Sequence, residues 1–327
     1  MNREAAETFL KAWDSGQETF SIQSSGSTGA PKTLHLERRW MIWSAMRTAE
    51  YLKPRGGESL FCCIPVNRVG GMMMLVRARV WGMNVLVHEA SSNPLIEPVD
   101  ADIISLTPFQ LHHIYTSPKS LNHLMRFREV LIGGGELPPA LEKALQAVNP
   151  LTRIRHSYGM SETYSHVALR DVNGTERSEW FSPLHEININ KTQDGCAVIM
   201  APFCPDGMQT NDVIEVHTDG RFRVLGRSDF VINSGGVKLQ PEQIEKAIYE
   251  KLPPTARFVI SSIRDQALGQ KLVLVCEDSR LFDGMELGFL REINAYAVPK
   301  AIIEIDAIPV NAGGKTDRLK TREMINS

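Results

Sequence analysis

The chain of 327 residues is 43% hydrophobic and 23% charged, with a formal net charge of −2, which is ordinary globular composition. That balance excludes a general nucleic-acid- or membrane-binding surface, and the longest apolar run, around residues 72–87, is broken by Arg77 and Arg79 before it reaches membrane-spanning length. The five cysteines form no C-x-x-C pair and read as small buried hydrophobes of a reducing, cytoplasmic protein.

The opening segment MNREAAETFLKAWDSG is an amphipathic helix without the apolar core of a signal peptide. TFSIQ (19–23) and TLHLE (33–37) are predicted strands, and SSGSTGAPK (24–32) lies between them. Pro31 rules out a phosphate loop of the kind that opens a helix with Gly-Lys, because proline steers Ala30 away from helical geometry. Small hydroxyls and open backbone N–H groups still make a concavity suited to phosphate; read alone, the same stretch is equally a flexible Gly/Ser hairpin. RRWMIWSAMRTAEYL has helical periodicity, SLFCCIP is a strand, and GGMMMLVRARVWG is a helix opened by glycines. NVLVHE and DIISL are strands, PFQLHHIY is a helix with proline at its start, and EVLIGG, PPALEKALQAV and RIRHSYG continue the alternation. Residues 185–225 are mostly β-prone. After the turn-rich strip GRSDFVINSGGVKLQ come a helix (PEQIEKAIYEKL), two strands (ARFVISSI, KLVLVCE), a helix near MELGFLREINAY and a last strand, AIIEIDAIP. The whole is α/β: a large N-terminal domain of sheets and helices, residues 1–228, and a small α+β domain, residues 229–327.

Four further segments stand out: LIGGGE (131–136), SYGMSET (157–163), TND (210–212) with GRSDFVINSGGVKLQPEQIE (226–245), and PVNAGGKTDR (309–318). Individually they read as turns and solvated charges. In this order they resemble the superfamily of adenylate-forming enzymes, which includes acyl-CoA synthetases, peptide-synthetase adenylation domains and luciferases, over about residues 21–322.

The resemblance implies the adenylate-forming fold and ATP-dependent activation of a carboxylic acid, followed by thioester formation with CoA. A carboxylate then attacks the α-phosphorus of ATP, so donors and cations must be aimed at the charge that builds there. Ser25, Gly26, Ser27, Thr28, Gly29 and Lys32 are implied to cradle the triphosphate, with Glu162 and Thr28 at Mg²⁺. Tyr158 and Gly133, Gly134 and Gly135 are implied to sandwich adenine, with Gly159, Met160 and Ser161 beside them; Asp212 takes the ribose hydroxyls, supported by Arg227. Lys315 reaches the reacting phosphate and carboxylate from the small domain, Asp229 is the hinge, and Gly235, Gly236 and Lys238 line the CoA path. The acyl pocket is implied near Asn67, Gly70, Arg77 and His166, with Arg68 as an alternative cation.

There are departures from the family pattern. The phosphate loop starts near residue 24, Asn67 stands where many relatives carry histidine, and Ser161 replaces a usual threonine. GGMMMLVRA, YGMSETYSHVAL and NSGGVKLQPEQIE are most similar to the o-succinylbenzoate–CoA ligase branch, which serves menaquinone biosynthesis. Another aryl- or acyl-CoA ligase, or a stand-alone adenylating enzyme, stays open. A catalytically inactive AMP-binding protein would lack Lys315 or Glu162, and both are present. Partners are expected to be small molecules, without nucleic acid or membrane insertion, and a homo-oligomer is left open.

Overall fold

The computed structural model describes residues 1–23, 32–148, 151–253, 255–310 and 316–327. These fall into two compact units, Met1–Leu137 with Ala144–Asn188 and Ala201–Pro205, and Pro138–Lys143 with Ile189–Met200 and Asp206–Ser327. Residues 228 and 229 both belong to the second unit, so this division by packing is a separate matter from the expected mobile boundary.

The first unit begins with helix α1 (Asn2–Asp14), the antiparallel strands β1 (Thr19–Gln23) and β2 (Thr33–Glu37), and helix α2 (Arg38–Leu52). In α1, Ala6, Phe9 and Trp13 recur on one face and are buried, as a 3.6-residue period dictates. Phe9 and Trp13 pack on Phe20 of β1, with ring centroids 4.8 and 5.6 Å away. β3 (Ser59–Cys62), α3 (Val69–Trp81), β4 (Asn84–Val87), β5 (Ile103–Leu106), α4 (Pro108–Tyr115), α5 (Pro118–Leu124), β6 (Glu129–Ile132), β7 (Arg153–Gly159), β8 (His166–Asp171) and β9 (Ser182–Pro183) follow, and between β6 and β7 runs α6 (Pro139–Leu145), most of which belongs to the second unit. The sheet order is β4-β3-β5-β6-β7-β8-β9, parallel as far as β7 and antiparallel beyond it. Every residue of β5 and β6 is buried, as expected for parallel strands covered on both faces. α3 is buried from Gly71 to Ala78, which explains why its sequence is apolar nearly all round. The loops that carry Asn67, Gly133–Gly135 and Glu162 leave the carboxyl ends of β3, β6 and β7, the edge where open α/β sheets bind ligands.

In the second unit, β10 (Asn188–Lys191), β11 (Cys196–Ala201), β12 (Cys204–Val216) and β13 (Phe222–Arg227) form one sheet in chain order. A second sheet holds β14 (Ile232–Ser234), β15 (Val237–Leu239), β16 (Phe258–Asp265), β17 (Gly269–Cys276) and β18 (Ile302–Glu304), with helices α7 (Pro241–Tyr249) and α8 (Arg318–Met324). Strand alternation splits its core cleanly. Ile260, Leu272 and Leu274 face Ile244 and Ile248 of α7, whereas Val259, Val273 and Val275 face Ile308.

Two expectations need correction. MELGFLREINAY forms only a 3₁₀ turn over Leu287–Glu292: Gly288 weakens a helix there, and the Asn294 side chain accepts from the Tyr296 N–H (2.9 Å), a local bond that competes with helix. The turn-rich strip contains a true hairpin, in which β14 and β15 are joined by Gly235 and Gly236 at φ +61° and +84°, the paired left-handed residues of a tight two-residue turn. The cysteines are free thiols, with Cys62, Cys63, Cys196 and Cys276 buried and Cys204 half-buried. Among the described residues no helix is long and apolar enough to cross a membrane.

Candidate active site

Ser25, Gly26, Ser27, Thr28, Gly29 and Lys315 lie outside the described residues. Lys32 is exposed, one residue before β2, and the two strands flanking 24–32 pair as expected, Gln23 opposite Thr33.

At the end of β6 the glycines have distinct reasons. A side chain at Gly133 would stand 2.7 Å from Ser157 Oγ, which donates to the Ile132 carbonyl (2.9 Å). Gly134 has φ +80° and open space where a Cβ would sit, so the loop offers bare backbone suited to a flat ring. The Gly135 carbonyl accepts from His156 Nε2 (3.0 Å), and Arg170 donates to His156 Nδ1 (3.2 Å). Burial and then the Arg170 charge push the His156 pKa down to about 3, so a neutral ring with its proton on Nε2 holds this loop. His156 was not singled out by sequence; its signal was a histidine on the strand beside the glycines.

Tyr158 and Gly159 end β7 beside it. Tyr158 is half-buried, its ring 6.0 Å from that of Phe181. A Cβ on Gly159 would overlap the Ser165 carbonyl oxygen, at the bulge where β7 and β8 shift register. The chain then turns through a 3₁₀ segment, Ser161–Thr163, with Glu162 exposed and Ser161 half-buried. Buried Thr163 holds the turn: its hydroxyl accepts from the Met160 N–H (3.0 Å) and donates to the Ser165 carbonyl (2.6 Å). Tyr164 sits at φ +63°, a conformation that costs a non-glycine residue about 1 kcal/mol or more.

Of the acyl-pocket candidates, Asn67 is exposed and lines a cleft of about 560 Å³ with Val66, Met72 and Phe20. A Cβ on Gly70 would meet Ile64 at an ordinary 3.7 Å, whereas one on Gly71 would overlap the Pro65 carbonyl; Gly71 is the glycine the α3 entry requires. Arg68 donates to the Gln23 carbonyl (3.2 Å). Arg77 is 3% exposed. Its Nη2 donates to Ser165 Oγ (2.6 Å) and faces His166 Nδ1 (3.4 Å), its Nη1 meets only the Met74 sulfur (3.9 Å), and its Nε has no partner among the described residues. Burial pulls its pKa down to about 10, so it remains a cation at neutral pH. No carboxylate among the described residues pairs with it.

In the second unit, Asp212 on β12 and Arg227 on β13 are register partners. Arg227 Nη1 donates to Asp212 Oδ1 (3.1 Å), while Nε and Nη2 grip Asp229 Oδ1 and Oδ2 at 2.9 and 2.7 Å. Burial works against ionising Asp229, but the Arg227 bonds and charge, with Asn211, hold its carboxyl below the usual range. One guanidinium thus joins the expected ribose acceptor to the expected hinge. Gly235, Gly236 and Lys238 are exposed on the β14–β15 hairpin.

The AMP-binding enzyme family model matches residues 10–186. The chain belongs to the AMP-binding enzyme family. A 2-succinylbenzoate–CoA ligase of Listeria monocytogenes serotype 4b (strain F2365) is 26% identical over 350 residues, covering 97% of this chain and 72% of that one. Among solved structures, the acyl-CoA synthetase (AMP-forming)/AMP-acid ligase II-like protein of Dyadobacter fermentans DSM 18053 is 32% identical, with TM-score 0.63, covering 98% of this chain and 94% of that one. The o-succinylbenzoate CoA synthetase of Bacillus subtilis is solved with the acyl-adenylate intermediate and with ATP and magnesium ion. It shares the fold at 20% and 21% identity, each with TM-score 0.73, covering 92% of this chain and 68% and 69% of those chains. This family member has residues that suit a nucleotide: bare glycine backbone beside a half-buried tyrosine, and an exposed carboxylate at Glu162. Among the described residues there is no cluster of three or more acids, histidines and cysteines that could hold a metal alone.

Proposed function

We propose that this chain uses ATP to convert 2-succinylbenzoate to its acyl-adenylate and then transfers the acyl group to CoA. The observation that carries the choice of acid is Arg77, a buried cation with unfilled donors and no carboxylate partner among the described residues. Keeping such a charge costs several kcal/mol unless an anion meets it. 2-Succinylbenzoate has two carboxylates; one is activated, and the other is an anion that must itself be paired when buried. Arg77 and Ser165 supply donors for it, and the methionines of α3 supply an adaptable apolar wall. The names of the curated relatives support the same reading.

In this reading Gly133–Gly135 and Tyr158 bracket adenine, Gly159, Met160 and Ser161 shape its edge, and Asp212 with Arg227 receives the ribose. Residues 24–32 hold the triphosphate, and Mg²⁺ on Glu162 would neutralise phosphate charge. Lys315 stabilises the charge that builds as the carboxylate attacks. Residues 229–327 turn about Asp229 between the two half-reactions, and Gly235, Gly236 and Lys238 border the path of the CoA thiol.

The test compares Arg77→Leu with wild type on 2-succinylbenzoate and on an analogue lacking the ring carboxylate, by pyrophosphate release. Wild type should prefer the dicarboxylate, and the variant should lose that preference by roughly 10²-fold, the scale of an orphaned buried charge. Unchanged selectivity would clear Arg77 of the role. A wild type that ignores 2-succinylbenzoate in favour of another acid would overturn the substrate.

A further inference from the structure

We propose that Thr48, acting through His166, locks the Arg77 guanidinium in one orientation and so sets the preference for acids with a second carboxylate, a positioning role that rests on the reading above. The three residues come from α2, β8 and α3 and are all buried. Thr48 Oγ1 donates to the Ser44 carbonyl one turn back (2.9 Å) and stands 3.0 Å from His166 Nε2. A hydroxyl has one proton, and Thr48 has given it to Ser44, so towards His166 it accepts. His166 must therefore carry its proton on Nε2, which leaves the Nδ1 lone pair facing Arg77.

The other end requires the same tautomer, because a guanidinium has donors only. Arg77 Nη2 lies 3.4 Å from His166 Nδ1 and 2.6 Å from Ser165 Oγ, and Ser165 Oγ is itself 3.4 Å from that Nδ1. Two neighbours thus fix one guanidinium nitrogen and leave the Nε and Nη1 donors for a ligand. Burial and the Arg77 charge hold the ring neutral, its pKa well below 6.5. The opposite tautomer would point an N–H at the cation. In this scheme Thr48 acts only by choosing the tautomer.

The decisive pair is Thr48→Val, which keeps the shape and removes the acceptor, and Thr48→Ser, which restores it. Ring ¹⁵N spectra of wild type should show His166 protonated on Nε2, with Thr48→Val disturbing that state and Thr48→Ser recovering it. Selectivity for 2-succinylbenzoate over the analogue without its ring carboxylate should fall about tenfold in Thr48→Val, mainly through KM for the dicarboxylate, and return in Thr48→Ser. A wild-type ring protonated on Nδ1, full selectivity in Thr48→Val, or equal loss in both variants would each overturn the proposal, the last by marking a packing role. Should wild type show no preference for the second carboxylate, the substrate reading falls and the selectivity claim with it, while the tautomer lock is judged on the spectra alone.

Discussion

His156 holds the Gly133–Gly135 loop as a neutral ring, and that neutrality has a cost in acid. In the unfolded chain the imidazole takes a proton near pH 6.5, whereas in the fold burial and Arg170 delay it to about 3. The unfolded state therefore binds more protons between those values. The contribution of the neutral ring to stability is complete above about pH 6.5 and is lost as pH falls towards 3. His156→Gln keeps an amide donor for the Gly135 carbonyl and does not titrate. Taking both proteins from pH 7 to pH 5 in urea titrations should cost wild type about 2 kcal/mol more than the variant; equal losses would mean that the folded ring accepts a proton. The glycines at this scale were readable in the sequence as glycines but not in their reasons. Gly133 and Gly159 are required by Ser157 and Ser165, which lie on other segments.

At the scale of elements, α7, β16 and α8 are clasped by one carboxylate. Glu245 receives both terminal nitrogens of Arg318, at 2.7 and 2.5 Å, and the Ile260 N–H at 2.7 Å. Its side chain is 10% exposed and that of Arg318 15%. Glu245→Ala would take the two-pronged carboxylate partner from a half-buried guanidinium and the acceptor from a buried amide, so a loss of about 3 kcal/mol is expected. Amides of β16 and α8 should exchange faster, and Arg318→Ala should add little once Glu245 is gone. Simple additivity of the two variants would show that the pair is not coupled. The sequence reading found α7 but stopped before α8, although Asp317 is its N-cap and accepts from the Lys320 N–H (3.0 Å). α5 was missed too, despite Ser117 as cap and Pro118 in its first turn. Both helices are too short for apolar periodicity to reveal them; only their caps could.

For the whole molecule, the proposal assigns the two half-reactions to two poses of residues 229–327. If the proposed role holds, Lys315→Ala should slow adenylate formation by on the order of 10²–10³ or more while largely sparing thioester formation from preformed acyl-adenylate, since in that role the cation serves only the step that builds charge on phosphorus. Asp229→Pro should do the reverse, because proline fixes φ at the proposed hinge. It also removes the carboxylate that Arg227 grips, so a Asp229→Ala control separates the hinge from the ion pair. Half-reactions followed separately by pyrophosphate release and thioester absorbance decide this. Equal loss of both steps in Lys315→Ala would reassign the lysine, and full turnover by Asp229→Pro would move the hinge elsewhere.

The linear order of motifs determined the family and most strands and helices, because strand alternation, helix periods, glycine turns and proline starts are written in neighbours a few residues apart. The run 38–52 forms α2 end to end for that reason. What the tertiary structure alone decided is what each side chain meets. Nothing in GGMMMLVRARV says that Arg77 finds no carboxylate among the described residues, and no local signal joins Thr48 to His166, 118 residues away. Whether a charge is paired, and which tautomer a buried ring adopts, depends on the groups that packing brings from distant segments, and those are set only when α2, α3 and β8 close around one core.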